Sequence, residues 1–460
     1  MSFWESPALV TALVVACLLG AAEVLRGVPA VRKTAIPACI LAGLLGMALG
    51  PDVADLLPVD RSVLETVVYH GLAIVFIAVA LQSPPRSDAG LGASVKAFTF
   101  AIPVMLTLQT LVGLACVVAL GVVSGTIHPG FGLMLPLGFE QGPGQALSLG
   151  AAWEKGGMTS GAQIGLIVAT IGFGWSILMG LPLVLWGRRR GLLSSLTVHA
   201  GGEAEAVAAP SSAGGLDVLT RQVAVIGACY ALTWGACFGL SSALSSAPDI
   251  AETIWGFHFI LGAGVAMGVR AALVRLGDAN PLHDGSLSRV AGVCVDWMTC
   301  SALLAVQLAV LGAHWLPIVL VTTVGGAVTL IAALWLCSRA FRDAPFEHAV
   351  VWFGMSTGTL PMGLALLRVV DPGLRSPAAL SAVLGSAGAI AGAVPVLLFL
   401  IPGTVAAFAS GSANAALVAL GAAAGYLVLL LGLWWKLGGL RITRPATLWL
   451  EEARTKPPAT

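Results

Sequence analysis

The chain has 460 residues, of which 58% are hydrophobic and only 10% are charged, and its formal net charge is +1. Its mean hydropathy is +0.95. A soluble domain carries roughly 25% charged residues, so this composition excludes a water-soluble protein and indicates one that lies in a lipid bilayer. No nucleic-acid partner is expected from so small a positive charge.

Apolar runs along the chain predict an all-α polytopic membrane protein with eleven spans. A span needs about 20 apolar residues, because the hydrocarbon core is about 30 Å thick and a helix rises 1.5 Å per residue. Each span is predicted to be helical, because lipid leaves no other partner for its backbone N–H and C=O groups. The predicted spans are roughly 8–25, 35–50, 67–82, 97–123, 162–186, 221–244, 254–274, 290–312, 315–338, 379–402 and 413–435.

Basic residues predict the orientation of these spans. Lys and Arg concentrate in short loops on the cytoplasmic side of a membrane. If the N-terminus lies outside and the spans alternate, all of the 23 basic residues except Arg61 and Lys155 fall on the cytoplasmic side. We therefore expect a protein of the cell inner (plasma) membrane with its N-terminus outside and its C-terminus in the cytoplasm.

A segment rich in Ala, Gly, Ser and Pro divides the chain into two halves. The predicted organisation is a first repeat at 1–190, a cytoplasmic linker at 191–220, a second repeat at 221–402, and an extra span with a cytoplasmic tail at 403–460. Each repeat has five spans. Because five is odd, the second repeat is expected to lie upside down relative to the first.

Each half also contains a segment that Gly and Pro interrupt, at 131–153 and at 346–367. Both are predicted to be re-entrant, because interrupted apolar segments at matching places in inverted halves indicate a transport site. Backbone N–H groups freed by the interruption can bind a carboxylate, and freed carbonyl groups can bind sodium. The candidate substrate-binding residues are Gln141, Gly142, Gly144, Gln145, Ser148, Ser356, Thr357, Gly358 and Thr359.

Glu140 is a charged residue inside the first interrupted segment. A charge at membrane depth is costly and usually functional. Glu140 is a candidate sodium ligand, and three other roles stay open: it could pair with an amino group of the substrate, remain protonated, or lie in water as a loop carboxylate.

The first interrupted segment resembles a motif of the glutamate:sodium symporter family. The residues that carry the resemblance are Gln141-Gly-Pro-Gly-Gln145 and Gly150-Ala-Ala-Trp153, which are similar to the family's Gly-Gly-x-Gly-x-Gly-Ala-Ala-Trp run. Ile36-Pro37, Gln109, Phe353-Gly354, Gly358-Thr359 and Pro361 agree with it, and the likeness extends over about residues 5–402. It implies ten core spans, two re-entrant loops that enter from opposite sides, a homodimer, and sodium-coupled uptake of glutamate.

The chain departs from the family pattern at the candidate site. Extra residues separate Gly144 from Gly150, Glu140 precedes the motif, and the second motif is longer. The span and tail after residue 402 lie beyond the usual end of the family. These departures bear on the substrate more than on the fold.

The function expected from the sequence is sodium-coupled symport of a small carboxylate, with glutamate as the first candidate, no cofactor other than the coupling ion, and no enzymatic activity. An ion channel and a transporter-like protein with a different substrate stay open. A membrane-embedded enzyme is the remaining alternative, since Gly354-Met-Ser-Thr-Gly358 matches G-x-S-x-G. That motif needs a preceding strand, which an all-helical chain does not offer.

Overall fold

The computed structural model describes residues 6–32, 36–83, 92–124, 127–193, 217–244, 254–275, 281–371, 376–412 and 414–443. Every regular element in these ranges is a helix. Within the described residues, ten helices are long and apolar enough to cross a bilayer, and three more apolar helices are shorter. The protein is therefore an all-α polytopic membrane protein.

The helices are numbered here in chain order. They are α1 (Pro7–Arg26), α2 (Pro29–Arg32), α3 (Ala38–Leu49), α4 (Arg61–Leu81), α5 (Gly92–Ser124), α6 (Gly130–Pro136), α7 (Pro143–Glu154), α8 (Gly161–Arg190), α9 (Val218–Ala243), α10 (His258–Val274), α11 (Asp284–Leu304), α12 (Leu308–Ala313), α13 (Trp315–Ala340), α14 (Pro345–Val370), α15 (Pro377–Val394), α16 (Ile401–Ala409) and α17 (Ala415–Leu433). Wider π-helical turns extend three of them, at Leu137–Gln141 after α6, Pro395–Leu400 between α15 and α16, and Trp434–Gly438 after α17.

Nine of the eleven predicted spans correspond to helices of membrane-crossing length, and the spans predicted at 35–50 and 254–274 correspond to the shorter α3 and α10. The tenth is α14, which covers the second interrupted segment, but its backbone is non-helical at Gly358 and Thr359, so it consists of two shorter helices. The apolar stretch of α14 is 72% buried within the protein, whereas the apolar stretch of the last helix is only 17% buried. Helix α14 therefore belongs to the protein core, and α17 lies at the periphery.

The span predicted at 290–312 has the wrong boundaries. Helix α11 begins at Asp284, where the side chain of His283 accepts a hydrogen bond from the N–H of Ser286. It ends at Leu304, and the short helix α12 follows after a break. The side chain of Gln163 accepts a hydrogen bond from the N–H of Gln307 at 3.1 Å, so a distant residue satisfies the broken backbone.

Two predicted boundaries between segments also fall inside helices. Helix α9 begins at Val218, before the predicted end of the linker at 220, because Asp217 caps it by accepting hydrogen bonds from Leu219 and Thr220. Residues 194–216 of the linker lie outside the described residues. The boundary predicted at 402 lies within α16, so the tenth predicted span continues to Ala409.

The helices pack in two groups. In one group α4 packs against α10 and α11, α3 packs against α1 and α11, and α9 packs against α10. In the other, α5 packs against α13, α15 and α17, while α8 packs against α7 and α14. Helix α7 also contacts α4 and α11 and so joins the two groups. The interrupted segments lie in the second group, alongside α8.

Candidate functional site

Residues 130–154, which contain the first interrupted segment at 131–153, fold back on themselves, and we call them hairpin 1. A Cβ placed on Gly130 would collide with the sulfur of Met158, and the N–H of Met158 donates a hydrogen bond to the carbonyl of Trp153. Both ends of the segment therefore lie beside Met158. The chain reverses near Gly142, which has φ +91° and ψ 178° between the π-helical turn and α7. Residues other than glycine adopt this conformation rarely and at a cost in free energy.

Residues 345–370, which contain the second interrupted segment at 346–367, also fold back, and we call them hairpin 2. A Cβ on Gly354 would lie 2.7 Å from the Cα of Gly363. Nine residues of straight helix would separate these positions by about 13 Å, so the chain must reverse between them. The reversal lies at Gly358 (φ −153°, ψ 25°) and Thr359 (φ 67°, ψ 170°).

Helix α8 shows where hairpin 1 lies. The backbones of Gly150 and Gly161 touch at the beginning of α8. Deeper along the same helix, a Cβ on Gly172 would lie 2.9 Å from the ring of Phe139. Hairpin 1 therefore extends from the start of α8 to its middle, and the small residues at Gly150 and Gly161 allow this close approach.

Hairpin 2 approaches the middle of α8 from the other end. The ring of Phe346, near the start of hairpin 2, packs onto Gly187 near the end of α8. The carbonyl of Thr357 packs onto Gly172, the glycine that also contacts hairpin 1. The two hairpins thus lie along opposite halves of α8, and their turning points come together at its centre.

The turning points are in direct contact. We call residues 140–144 and 356–360 the tips of hairpins 1 and 2. A Cβ on Gly142 would lie 2.5 Å from Cγ2 of Thr359. Two helices also begin here: α7, whose N-cap residue Gly142 has no side-chain cap, and the returning arm of hairpin 2 after Thr359. The positive ends of two helix dipoles therefore meet at the tips.

Polar side chains of neighbouring helices hold the tip of hairpin 2. The amide nitrogen of Gln109 on α5 donates hydrogen bonds to the carbonyl of Ser356 at 2.7 Å and to the hydroxyl of Thr329 on α13 at 3.0 Å. The hydroxyls of Ser176 on α8 and Thr357 lie 2.5 Å apart. Thr357 also donates to the carbonyl of Phe353 at 2.8 Å.

Gln109 entered the sequence argument only as part of the family resemblance, and Ser176 and Thr329 were not singled out. Each is a single small hydroxyl residue within an apolar helix, and such residues commonly bond to their own helix or to a neighbouring one. Nothing local to α8 or α13 distinguishes them from the other Ser and Thr residues of the spans. Only the packing of α8 and α13 against hairpin 2 brings them to the tip.

Several oxygen atoms of the tips, and of residues next to them in the chain or bonded to them, are buried and have no hydrogen-bond partner. They are both carboxylate oxygens of Glu140, the amide oxygens of Gln145 and Gln109, and the hydroxyl of Ser356. Glu140 is 7% exposed, Gln145 is 3% exposed and Ser356 is fully buried. A buried polar group without a partner costs about 1–3 kcal/mol, and more if it is charged, so these oxygens suit an ion, a water or a ligand as a partner. Oxygen acceptors fit a hard cation such as sodium.

Most of the candidate residues lie together, but one does not. Gly142 and Thr359 touch, and Gln141 and Gly358 adjoin them in the chain. Ser148 lies further along α7, where its hydroxyl donates a hydrogen bond to the carbonyl of Gly256 at 2.8 Å. Ser148 therefore fastens hairpin 1 to the segment before α10 and does not reach the tips.

Gly144 also has a packing role. A Cβ at this position would lie 2.9 Å from the side chain of Leu72 on α4 and 3.0 Å from the sulfur of Met298 on α11. Its missing side chain lets α7 approach both helices. Only its backbone can contribute to binding.

No known protein family matches the chain by its sequence profile, and no curated protein matches it. The functional conclusions below therefore depend on the geometry of the hairpins and on the chemistry of the residues at their tips.

Proposed function

We propose that this protein is a secondary active transporter, a sodium-coupled symporter of a small carboxylate for which glutamate is the first candidate. The observation that carries the proposal is the contact between Gly142 and Thr359 at the tips of two hairpins, surrounded by buried oxygen atoms without partners. Interrupted helices tolerate broken backbone at membrane depth only where protein or an aqueous cavity surrounds it, as at transporter substrate sites.

The lengths of the hairpin arms support re-entrant loops. Each arm has about 12 residues and is about 18 Å long, which is too short to cross a hydrocarbon core of about 30 Å. A segment whose two ends meet, as those of hairpin 1 meet at Met158, enters and leaves a bilayer on one side. Because the two hairpins lie along opposite halves of α8, we infer that they enter from opposite sides of the membrane.

The pattern of helix contacts supports inverted repeats. In the first half α1 packs on α3, and in the second half their counterparts α9 and α10 pack on each other. Likewise α5 packs on hairpin 1, and its counterpart α13 packs on hairpin 2. Helix α4 packs on α11, its counterpart in the other half. We propose the repeats at 1–190 and 221–402, with the helix bounds given above, and α17 as the extra span. We also propose that the linker is cytoplasmic and that the protein lies in the plasma membrane with its N-terminus outside and its C-terminus inside. It is proposed to form a homodimer.

The motif around Gly142 motivates a further proposal, that the chain is a divergent member of the glutamate:sodium symporter family. The closed contact between the tips favours a carrier over an open channel, because a carrier works by opening one side at a time. The G-x-S-x-G match at Gly354 to Gly358 lies in a helix without a preceding strand among the described residues, so it does not support a serine-dependent enzyme.

Uptake by proteoliposomes tests this function. Labelled glutamate, aspartate and a dicarboxylate would be offered with an inward sodium gradient and with choline or potassium in its place. We expect sodium-dependent accumulation. Uptake that is unchanged without sodium and insensitive to protons would refute coupling, and downhill flux without saturation would indicate a channel.

A matched pair of serine variants tests the site. Ser356→Ala removes an unpartnered hydroxyl at the tip, so we expect weaker sodium activation of uptake with little loss of stability. Ser386→Ala removes a hydroxyl that bonds only to its own helix, at the carbonyl of Ala382, and should leave uptake unchanged. Equal sodium dependence in both variants would remove Ser356 from the site.

A further inference from the structure

We infer that the end of α13 binds the phosphate of an anionic phospholipid, and that Arg339 holds this phosphate through the planar fork of its guanidinium. The site is separate from the tips. About ten residues, or about 15 Å of helix, separate Arg339 from Thr329, which bonds to Gln109 near the tip of hairpin 2. Because α13 also packs on hairpin 2, a lipid at its end would hold the support of that hairpin at a fixed level in the bilayer.

The first step is the level of Arg339 in the bilayer. Helix α13 has 26 residues and Arg339 lies in its last turn. A helix of this length is about 39 Å long, whereas the hydrocarbon core is about 30 Å thick, so its end turns lie at the level of the lipid headgroups. The ring of Trp335, one turn earlier on the same face, is 42% exposed. Exposed tryptophan side chains are typical of this level.

The second step is the charge of Arg339. Its side chain is buried, and among the described residues no other lysine or arginine is. Its Nη1 donates hydrogen bonds to the carbonyl of Trp335 at 2.9 Å and to the hydroxyl of Ser338 at 3.0 Å, which are both neutral acceptors. Its Nε has no hydrogen-bond partner. A buried charge with neutral partners alone favours an anionic ligand, because burial removes the water that would otherwise solvate the charge.

The third step is the orientation of the guanidinium. Its central carbon lies 4.1 Å from the centre of the Trp335 ring. Contact with an aromatic ring holds a guanidinium in place, and its N–H groups then form a fixed fork that matches two oxygens of a phosphate. Both bonds to Trp335 and Ser338 are made by Nη1, on the other side from the edge that Nε and Nη2 form. That edge is the part of the fork that suits a phosphate.

The surroundings of Arg339 favour a lipid with a net negative charge. The backbone N–H of Arg441, at the start of the tail, donates a hydrogen bond to the carbonyl of Arg339 at 3.2 Å. Lys436 lies in the π-helical turn just before it in the chain, and Arg342 follows α13. Basic side chains gathered at the headgroup level attract anionic lipids. The abundant anions at this level are lipid headgroups.

A binding assay in detergent tests the inference without any measurement of uptake. Thermal unfolding of the purified full chain would be followed as phosphatidylglycerol, phosphatidylcholine or inorganic phosphate is added, and native mass spectrometry would count the lipids that remain bound. We expect phosphatidylglycerol to stabilise the protein at concentrations at least about tenfold below those of phosphatidylcholine, since only the first carries a net negative charge. Inorganic phosphate should have no effect at these concentrations.

Three variants locate the site. Arg339→Gln should weaken phosphatidylglycerol binding by at least about tenfold, because a charged hydrogen-bond donor is lost. Arg339→Lys keeps the charge and should also weaken binding, because an ammonium cannot replace the planar fork. Arg190→Gln is the control, since Arg190 is an exposed residue at the end of α8. It removes the same charge and should bind phosphatidylglycerol as the wild type does.

Four results would overturn the inference. They are equal stabilisation by phosphatidylcholine, the same stabilisation by inorganic phosphate, wild-type lipid binding in Arg339→Lys, and equal weakening in Arg190→Gln and Arg339→Gln, which would indicate diffuse attraction to surface charge. Arg339→Lys retains a charge at the buried position, so it tests the site even if Arg339→Gln fails to fold. Absence of sodium-dependent uptake would refute the proposed function and leave these measurements unaffected.

Discussion

Substituting Gly142 with Ala tests the contact between the hairpins. The backbone at Gly142 has φ +91° and ψ 178°, and holding another residue there costs about 1–3 kcal/mol. The added Cβ would also lie 2.5 Å from Cγ2 of Thr359, well inside the optimal carbon–carbon separation of about 3.5–4.0 Å. The tips must therefore move apart by about 1 Å or more. We expect both a lower unfolding temperature and a large loss of sodium-dependent uptake.

Two companion variants separate strain from contact. Gly157→Ala introduces a residue at φ +95° with no atom within 4 Å of its Cβ, so it should lower stability without a comparable effect on uptake. Thr359→Ala removes Cγ2 and leaves its own Cβ 4.0 Å from the new one, which is an ordinary contact. In the Gly142→Ala background it should therefore restore part of the lost uptake.

The assay is a double-mutant cycle on the initial rate of glutamate uptake and on the unfolding temperature in detergent. Residues in contact show coupling energies of about 0.5–3 kcal/mol, whereas distant residues add independently. Additive effects of Gly142→Ala and Thr359→Ala would show that the tips do not touch. Loss of uptake in Gly157→Ala as severe as in Gly142→Ala would show that backbone strain alone explains the phenotype.

The remaining predictions concern packing and orientation. Gly132→Ala on α6 should destabilise the protein by about 1–3 kcal/mol in a thermal unfolding assay, because its Cβ would meet the backbone of Gly113 on α5. The control is Gly121→Ala on α5, which has open space around its Cβ and should be neutral or slightly stabilising. Equal effects would refute the close approach of α5 and α6. A reporter that is active only in the cytoplasm should be active when fused after Thr460, and an inactive reporter on a properly inserted protein would refute the proposed orientation.

Part of the candidate site could be predicted from the sequence because glycine and proline act locally. Gly142-Pro143 and Gly358 to Pro361 each place glycine close to proline, a combination that favours an interruption, and both points of reversal lie within the predicted segments. What these residues do not specify is whether the chain kinks or turns back. That depends on the packing of Gly354 against Gly363 and on the neighbouring surface of α8.

By itself, the sequence determined that this protein lies in a lipid bilayer and where most of its helices are. A low charge content and apolar runs of about 20 residues are sufficient for that, since lipid forces every backbone polar group of such a run into a helix. The same reasoning failed at 290–312, because the apolar run continues through Ala305 and Val306 without a local breaker. The chain breaks there because Gln163, far away in sequence, bonds the freed N–H of Gln307.

Only the tertiary structure decided which polar residues meet. Ser148 and Ser356 looked equivalent in sequence. The hydroxyl of Ser148 bonds to the carbonyl of Gly256, whereas the hydroxyl of Ser356 lies at a tip and has no hydrogen-bond partner. Glu140 looked equally suited to water and to the protein interior until packing buried it. The physical reason is that hydropathy and helix breaking act over a few residues, whereas burial and hydrogen bonding depend on which distant helices come together.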